Sequence, residues 1–221
     1  MPAKPNNAGS LPAAPAGQAG GAPDIVLLPY VQLPDGHMSV PDEYLFVLYH
    51  RLVQEGTLQV VFASGEVRQA RDLILLYNNP TVFPVFVFLN DDIAGICWLN
   101  NLSGQSGLAH FCLLKPTWGR TTQAIGERVM AYWWGLKAPG EAPLLRVLIG
   151  LIPAANAKAQ RFIERLGWNR LGRIPYLISG ADAMINYIVR PDLRGEQEAA
   201  HGLGRTSDRD RRHGGGADEG R

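Results

Sequence analysis

The sequence has few cysteines, almost no net charge and no long uninterrupted apolar run. Its two cysteines, Cys97 and Cys112, fall within predicted strands. They match neither a metal-binding spacing nor a secreted disulfide pattern, so we expect reduced, buried thiols in a cytoplasmic protein and no metal site. The formal net charge of +1 disfavours nucleic acid and anionic membranes as partners. No segment reaches the apolar length of a membrane-spanning helix.

Both ends of the chain lack the apolar residues that a core requires. Residues 1–23 are Pro, Ala and Gly with Lys4 as the single charged side chain, and prolines and glycines interrupt any apolar region of a signal peptide. Residues 194–221 carry six Arg against six Asp or Glu and no hydrophobic period. We therefore predict a disordered arm at 1–23, a single domain at 24–193 and a disordered charged tail at 194–221.

Two successive β-loop-α units form the centre of the predicted domain. A strand at 107–115 is stopped by Pro116, and after a turn at 117–122 a segment of helical periodicity follows, with apolar residues from Ile125 to Trp133. A continuous apolar strand at 144–151 comes next, with a second helix that ends at Gly167. Two such units side by side predict a gap between neighbouring strands into which helix N-termini point N–H groups, and a phosphate can bind there.

The remaining predicted elements flank this centre. They are, in chain order, a strand at 24–30, a turn at 33–37, a helix at 41–55, an extended segment at 57–62, a helix at 66–77, a hairpin of strands 83–89 and 93–100, a polar loop at 101–106, and strands at 169–174 and 183–189 joined by a long loop at 175–182. The hairpin is the clearest of them, because its aromatic and β-branched residues suit a sheet interior.

The stretch from Ile152 to Trp168 resembles the later motif of the GNAT superfamily of acyl-CoA-dependent N-acetyltransferases. Asn156 is followed three positions on by Ala159, then by a hydrophobic helix and a closing Leu-Gly-Trp. The resemblance covers roughly 83–189 and extends to the divergent GNAT-like proteins of phages and prophages. It implies an α/β (α+β) fold with a mixed, mostly antiparallel twisted sheet of six to seven strands, splayed between strands 4 and 5, with helices on both faces.

The resemblance also implies acetyl-CoA as the acyl donor. Main-chain groups at Leu113 and Leu114 would hydrogen-bond the pantetheine arm, and Asn156 would contact the cofactor near its reactive end, but Asn also favours a helix N-cap on its own account. The other cofactor-binding residues that it implies are Gly119, Arg120, Thr121, Thr122, Gly126, Ala159 and Phe162. The phosphate loop departs from the family, because most of its expected glycines are replaced, notably by Arg120 and Thr122.

Three residues are candidates for the chemistry. His110 is the candidate general base, because histidine ordinarily has a pKa near neutrality and the strand borders the expected site; the other interpretation is a hydrogen-bonded structural histidine. Many GNAT enzymes protonate the departing thiolate with a Tyr at the position that reads Ile163 here, and Tyr176 is the nearest substitute. Asn156 is the third candidate.

Two functions stay open. The first is acetyl transfer from acetyl-CoA to a primary amine of a small molecule or protein. The second is a catalytically inactive GNAT-fold protein that serves in binding or in phage virion assembly. The cluster Tyr49 to Arg51 is either part of the acceptor wall or a polar helix face, and Trp118, Trp133 and Trp134 line a pocket or belong to the core. The oligomeric state is open, with a homodimer as one option.

Overall fold

The computed structural model describes residues 23–138 and 140–193. The described elements are β1 (Ile25–Pro29), α1 (Glu43–Gln54), α2 (Leu58–Val61), α3 (Ala70–Tyr77), β2 (Phe83–Leu89), β3 (Asp92–Ser103), β4 (Ser106–Leu113), α4 (Arg120–Gly135), β5 (Val147–Pro153), α5 (Ala157–Arg165), β6 (Asn169–Ile178) and β7 (Ala181–Val189). The predicted arm, except its last residue, and the predicted tail lie outside these residues. No helix in the described ranges is both long enough and apolar enough to cross a bilayer.

The seven strands form one sheet in the order β1-β2-β3-β4-β5-β7-β6. Every neighbouring pair is antiparallel except β4 and β5, which run parallel. A parallel pair requires a crossover connection, and α4 provides it by carrying the chain back across one face of the sheet. This arrangement confirms the predicted mixed, mostly antiparallel GNAT-like sheet.

Helices cover both faces of the sheet, and two apolar cores result. The first core packs α4 and α5 against one face, and the second packs α1 to α3 against the other. Residues of β4 alternate between them: Ala109 and Leu113 belong to the first core, and Cys112 and Leu114 to the second. This alternation follows from the period of two along a strand and requires a sheet that is covered on both sides.

The first helix illustrates how the sequence produces this packing. Leu45, Leu48 and Leu52 are fully buried and lie three and four positions apart, which places them on one face of α1. Cys97 and Cys112 are free and buried within β3 and β4, as predicted.

The segment predicted as extended at 57–62 is instead helical, so that prediction is wrong. Gly56, with φ +65°, ends α1, and the amides of Val60 and Val61 both donate to the carbonyl of Thr57. The β-branched residues suggested a strand, but these local hydrogen bonds satisfy the main chain without a partner strand.

Three other boundaries also differ from the prediction. The helix predicted from residue 66 begins at Ala70, because Gln69 and Asp72 form a capping box there. The long loop predicted at 175–182 is mostly strand: β6 continues to Ile178 and turns tightly through two positive-φ residues. The polar loop at 101–106 is a tight turn, since β3 continues to Ser103 and β4 begins at Ser106.

Candidate functional site

The parallel strands β4 and β5 separate soon after they meet. They pair only at Ser106 with Val147, Gly107 with Leu148, and Leu108 with Ile149. The remaining five residues of β4 and four residues of β5 have no partner in the other strand. The splay predicted between strands 4 and 5 is therefore confirmed, and it opens a wedge between the two parallel strands.

Main-chain groups of β4 point into this wedge. The amide of Leu114 donates to the carbonyl of Ala94 at 2.9 Å, so the main chain of Leu114 faces β3. The direction in which N–H and C=O point alternates along a strand, so the groups of Phe111 and Leu113 face the wedge. The structure thus brings Leu113 to the site and leaves the adjacent Leu114 in the β3 ladder.

A cavity of about 740 Å³ occupies the wedge and extends to both faces of the sheet. The C-terminal ends of β4 and β5, α5, the N-terminus of α4 and the segment from the turn after α1 through α2 form its walls. Its charged lining residues are all cationic in the part of the chain that the structure describes: Lys115, Lys158, Arg161 and Arg165. The cavity is therefore suited to an anionic or neutral ligand.

The N-terminus of α4 lies at the cavity wall. Gly119 is the N-cap with φ +115°, a conformation that favours glycine, and a Cβ there would meet open space. Gly119 and Thr122 line the cavity, and the Thr122 hydroxyl donates to the carbonyl of Thr117 at 2.7 Å. Arg120 and Thr121 do not line it. A helix of sixteen residues thus directs its positive end at the cavity.

Gly126 lies away from the cavity, in the contact between α4 and α5. A Cβ added there would come within 2.6 Å of Leu166 and 2.9 Å of Phe162. The residue therefore allows the two helices to approach each other closely. This placement gives Gly126 a packing role and no contact with the cavity.

Asn156 precedes α5 at the cavity wall and is its N-cap. The side-chain oxygen accepts a hydrogen bond from the amide of Ala159 at 3.1 Å. Asn156, Ala159 and Phe162 all line the cavity, and the Phe162 ring meets the edge of Phe111 from β4 at 5.3 Å. The structural interpretation of Asn156 as a cap is confirmed, and its Nδ2 group makes no hydrogen bond within the described residues.

His110 also lines the cavity, on the face of the sheet that α1 to α3 cover. Its ring stacks on Trp98 at 4.6 Å, and Nε2 lies 3.1 Å from the side-chain oxygen of Asn100. The tautomer with the proton on Nε2 donates to this oxygen and leaves Nδ1 as an acceptor. Burial lowers the pKa of His110 to about 4. The expectation of a pKa near neutrality is therefore wrong, and the imidazole is neutral at pH 7.

Tyr176 is not brought to the cavity. It lies on β6 with 79% of its surface exposed, and its amide donates to Asp182 at 3.2 Å. The side chains of Tyr49 and Arg51 also make their contacts away from the cavity. The Tyr49 hydroxyl donates to the carbonyl of Arg68, and Arg51 forms a salt bridge with Asp92. None of these three side chains lines the cavity.

The sequence left open whether Trp118, Trp133 and Trp134 line a pocket or belong to the core. One of them lines the cavity, and the other two belong to the core. Trp118 lines the cavity, and its Nε1 donates to the carbonyl of Leu113 at 3.0 Å. The ammonium of Lys158 lies 4.9 Å from the centre of the Trp118 ring. Trp133 is fully buried in the core around α4, and Trp134 packs against the same core.

Sequence reasoning missed two groups of lining residues. One is the turn from α1 to α2, where Gly56, Thr57, Val60 and Val61 line the cavity. The other is the basic series Lys158, Arg161 and Arg165 on α5. The spacing of three and four residues in this series was a usable signal, because it places the three cations on one helix face.

Solved structures of acetyltransferases share this architecture. The spermidine N-acetyltransferase of Vibrio cholerae, in complex with CoA and spermine, matches with a TM-score of 0.56 at 14% identity, over 75% of this chain and 95% of its own. The aminoglycoside acetyltransferase AAC(6')-Ib, in complex with coenzyme A, matches with a TM-score of 0.58 at 14% identity, over 79% and 99%. The microcin C7 self-immunity acetyltransferase MccE, in complex with acetyl-CoA and AMP, matches with a TM-score of 0.52 at 14% identity, over 68% and 89%.

No protein-family model matches the sequence, and no curated protein matches it either. The similarity is therefore one of three-dimensional structure. The mixed, mostly antiparallel sheet of seven strands and the splay between β4 and β5 agree with what the resemblance implied. The described part of the chain has the fold of the GNAT acetyltransferases.

Proposed function

We propose that this protein is an acyl-CoA-dependent N-acetyltransferase that moves an acetyl group from acetyl-CoA to a primary amine of a small molecule or protein. The observation that carries the proposal is the open wedge between β4 and β5, into which Phe111 and Leu113 direct main-chain groups. The solved structures of this fold that contain CoA or acetyl-CoA support the choice of donor.

The wedge is suited to the pantetheine arm, which carries two amide groups. An extended chain that lies beside β4 would pair its amides with the main chain of Phe111 and Leu113, as an added strand does. The pyrophosphate would then lie near the N-cap Gly119, where the positive end of the α4 dipole favours an anion. Lys158 and Arg161 border the same cavity and add compensating charge.

The transfer joins the amine nitrogen to the thioester carbon and breaks the carbon–sulfur bond. The amine loses one proton, and the departing thiolate gains one. Asn156, whose Nδ2 group is unused, is the proposed donor to the thioester oxygen. A pKa of about 4 makes His110 a weak base, so we propose that its Nδ1 accepts a hydrogen bond from the amine and orients it. Because Tyr176 does not line the cavity, water is the proposed carrier that takes the proton from the amine and delivers one to the thiolate.

One observation favours the second candidate, a catalytically inactive protein of this fold that binds a partner or a phage virion component. The indole N–H of Trp118 already donates a hydrogen bond to the carbonyl of Leu113, which is one of the proposed acceptors for the pantetheine arm. The altered phosphate loop agrees with the same interpretation. The two candidates differ in whether acetyl-CoA binds in the wedge and whether its thioester reacts there.

Release of free thiol from acetyl-CoA in the presence of primary amines tests the proposal. We expect thiol release that requires both the protein and an amine, and that falls at least about tenfold in Asn156→Ala. Asn101→Ala, at an exposed position of β3 outside the cavity, is the matched control. Saturable binding of acetyl-CoA without thiol release for any amine would support the second candidate.

A further inference from the structure

We propose that the acceptor is a monoamine with an apolar or aromatic body, and that polyamines and other polycations are poor acceptors. This inference rests on the proposed function and specifies the substrate class of the same site. It is drawn from the charge and shape of the cavity wall that the acyl donor would leave free.

That wall lies on the opposite face of the sheet from α4 and α5. The donor would follow the β4 main chain towards the N-terminus of α4, so the surface left for the amine is formed by the turn from α1 to α2 and by two sheet residues. We call this surface the acceptor wall, and its members are Gly56, Thr57, Val60, Val61, Trp98 and His110. All of them are uncharged at pH 7, since the buried imidazole is neutral.

The acceptor wall is apolar where it meets the cavity. Val60 is 52% exposed. The rings of Phe62, Trp98 and His110 form a stack, with centroids 5.8 Å and 4.6 Å apart, in which Phe62 is buried and the other two rings line the cavity. An exposed valine beside these rings favours an apolar substituent, and none of the six residues of the acceptor wall is a carboxylate that could pair with further ammonium groups.

The charges in the cavity oppose a polycation. The four charged lining residues are cationic, and the described lining residues include no carboxylate. Glu55, in the turn from α1 to α2, does not line the cavity, and its carboxylate accepts the amide of the lining residue Lys115 at 2.8 Å. A ligand with several ammonium groups would therefore bring its second and third charges into a positive field. A monoamine becomes neutral when its ammonium group loses one proton before the reaction, so it avoids this cost.

Calorimetric titration of the full-length protein with phenethylamine, and separately with spermidine, tests the inference without depending on turnover. We expect phenethylamine to bind at least about tenfold more tightly than spermidine. Val60→Asp should narrow or reverse this ratio, because it places a carboxylate on the acceptor wall. Val53→Asp, at an exposed position of α1 outside the cavity, should leave the ratio unchanged.

Equal or tighter binding of spermidine would overturn the inference, and so would a ratio that Val60→Asp and Val53→Asp change equally. Absence of binding for both amines would also overturn it. If phenethylamine binds more tightly than spermidine but no amine is acetylated, the inference about the acceptor wall is supported and only the proposed reaction is contradicted.

Discussion

The indole Nε1 of Trp118 donates a hydrogen bond to the main-chain carbonyl of Leu113, 3.0 Å away. This carbonyl is one of the acceptors that β4 directs into the wedge. On its other side, the Trp118 ring lies under the ammonium of Lys158 from α5. Trp118 therefore connects the end of β4 to α5, and a ligand amide that donates to the Leu113 carbonyl competes with the indole for this acceptor.

Trp118→Phe should increase affinity for acetyl-CoA. The substitution keeps an aromatic ring and removes the N–H, so the Leu113 carbonyl becomes available without competition. A net hydrogen bond contributes about 1 kcal/mol, which corresponds to a gain of about fivefold in affinity. Isothermal titration calorimetry measures the change, with Trp134→Phe as the control. Weaker binding by Trp118→Phe would mean that the indole contacts the ligand rather than competing with it.

Gly119→Asp should weaken acetyl-CoA binding by about tenfold or more. It places a negative charge at the α4 N-terminus, where the pyrophosphate is proposed to bind. Aspartate at a positive φ is also strained, so the control needs the same strain elsewhere. The control is Gly36→Asp, because Gly36 also has a positive φ, +86°, and open space around its Cβ position. If Gly119→Asp and Gly36→Asp bind acetyl-CoA equally well, the phosphate site is misplaced.

Gly126→Val should destabilise the fold by about 1–3 kcal/mol, because the new side chain overlaps Leu166 and Phe162. Gly135→Val is the matched control: it lies in the same helix, and a Cβ there meets nothing within 4 Å. Chemical denaturation of both variants gives the difference in the free energy of unfolding. Similar values for the two would show that α4 and α5 are not packed tightly at Gly126.

Stability should decrease on acidification through His110. Burial lowers its pKa from about 6.5 to about 4 in the folded protein, so between these values the unfolded chain binds a proton that the folded chain does not. The contribution of His110 is complete above about pH 6.5 and is lost as the pH falls towards 4, by about 3 kcal/mol at most.

His110→Phe keeps a ring against Trp98 and removes this titration. Unfolding free energies measured from pH 7 to pH 4.5 should therefore fall less steeply for the variant than for the unmodified protein. Parallel curves for the two proteins would indicate that His110 titrates normally and that its ring is hydrated.

The sequence predicted those features of the fold that depend on local pattern. Proline and glycine mark the ends of the strands and helices between 107 and 168, and apolar residues there recur with strand or helix periods. The hairpin of β2 and β3 was predicted for the same reason. The splay itself came from the resemblance of residues 152–168 to a known motif, and the β4–β5 register confirms it.

Features set by distant contacts were not predictable in this way. The pKa of His110 depends on its burial on the second face of the sheet, against Trp98 from another strand. Whether Leu113 or Leu114 faces the wedge depends on the β3 register, and one residue of shift would exchange them. The packing role of Gly126 depends on α5, which follows some thirty residues later.

Calorimetric titration of the full-length protein with acetyl-CoA tests the central claim most directly. The account predicts saturable binding of one acetyl-CoA per chain, and predicts that CoA competes for the same site. Absence of heat at millimolar acetyl-CoA, with the protein shown to be folded, would contradict it, because the main-chain groups that β4 directs into the wedge would then have no affinity for the donor.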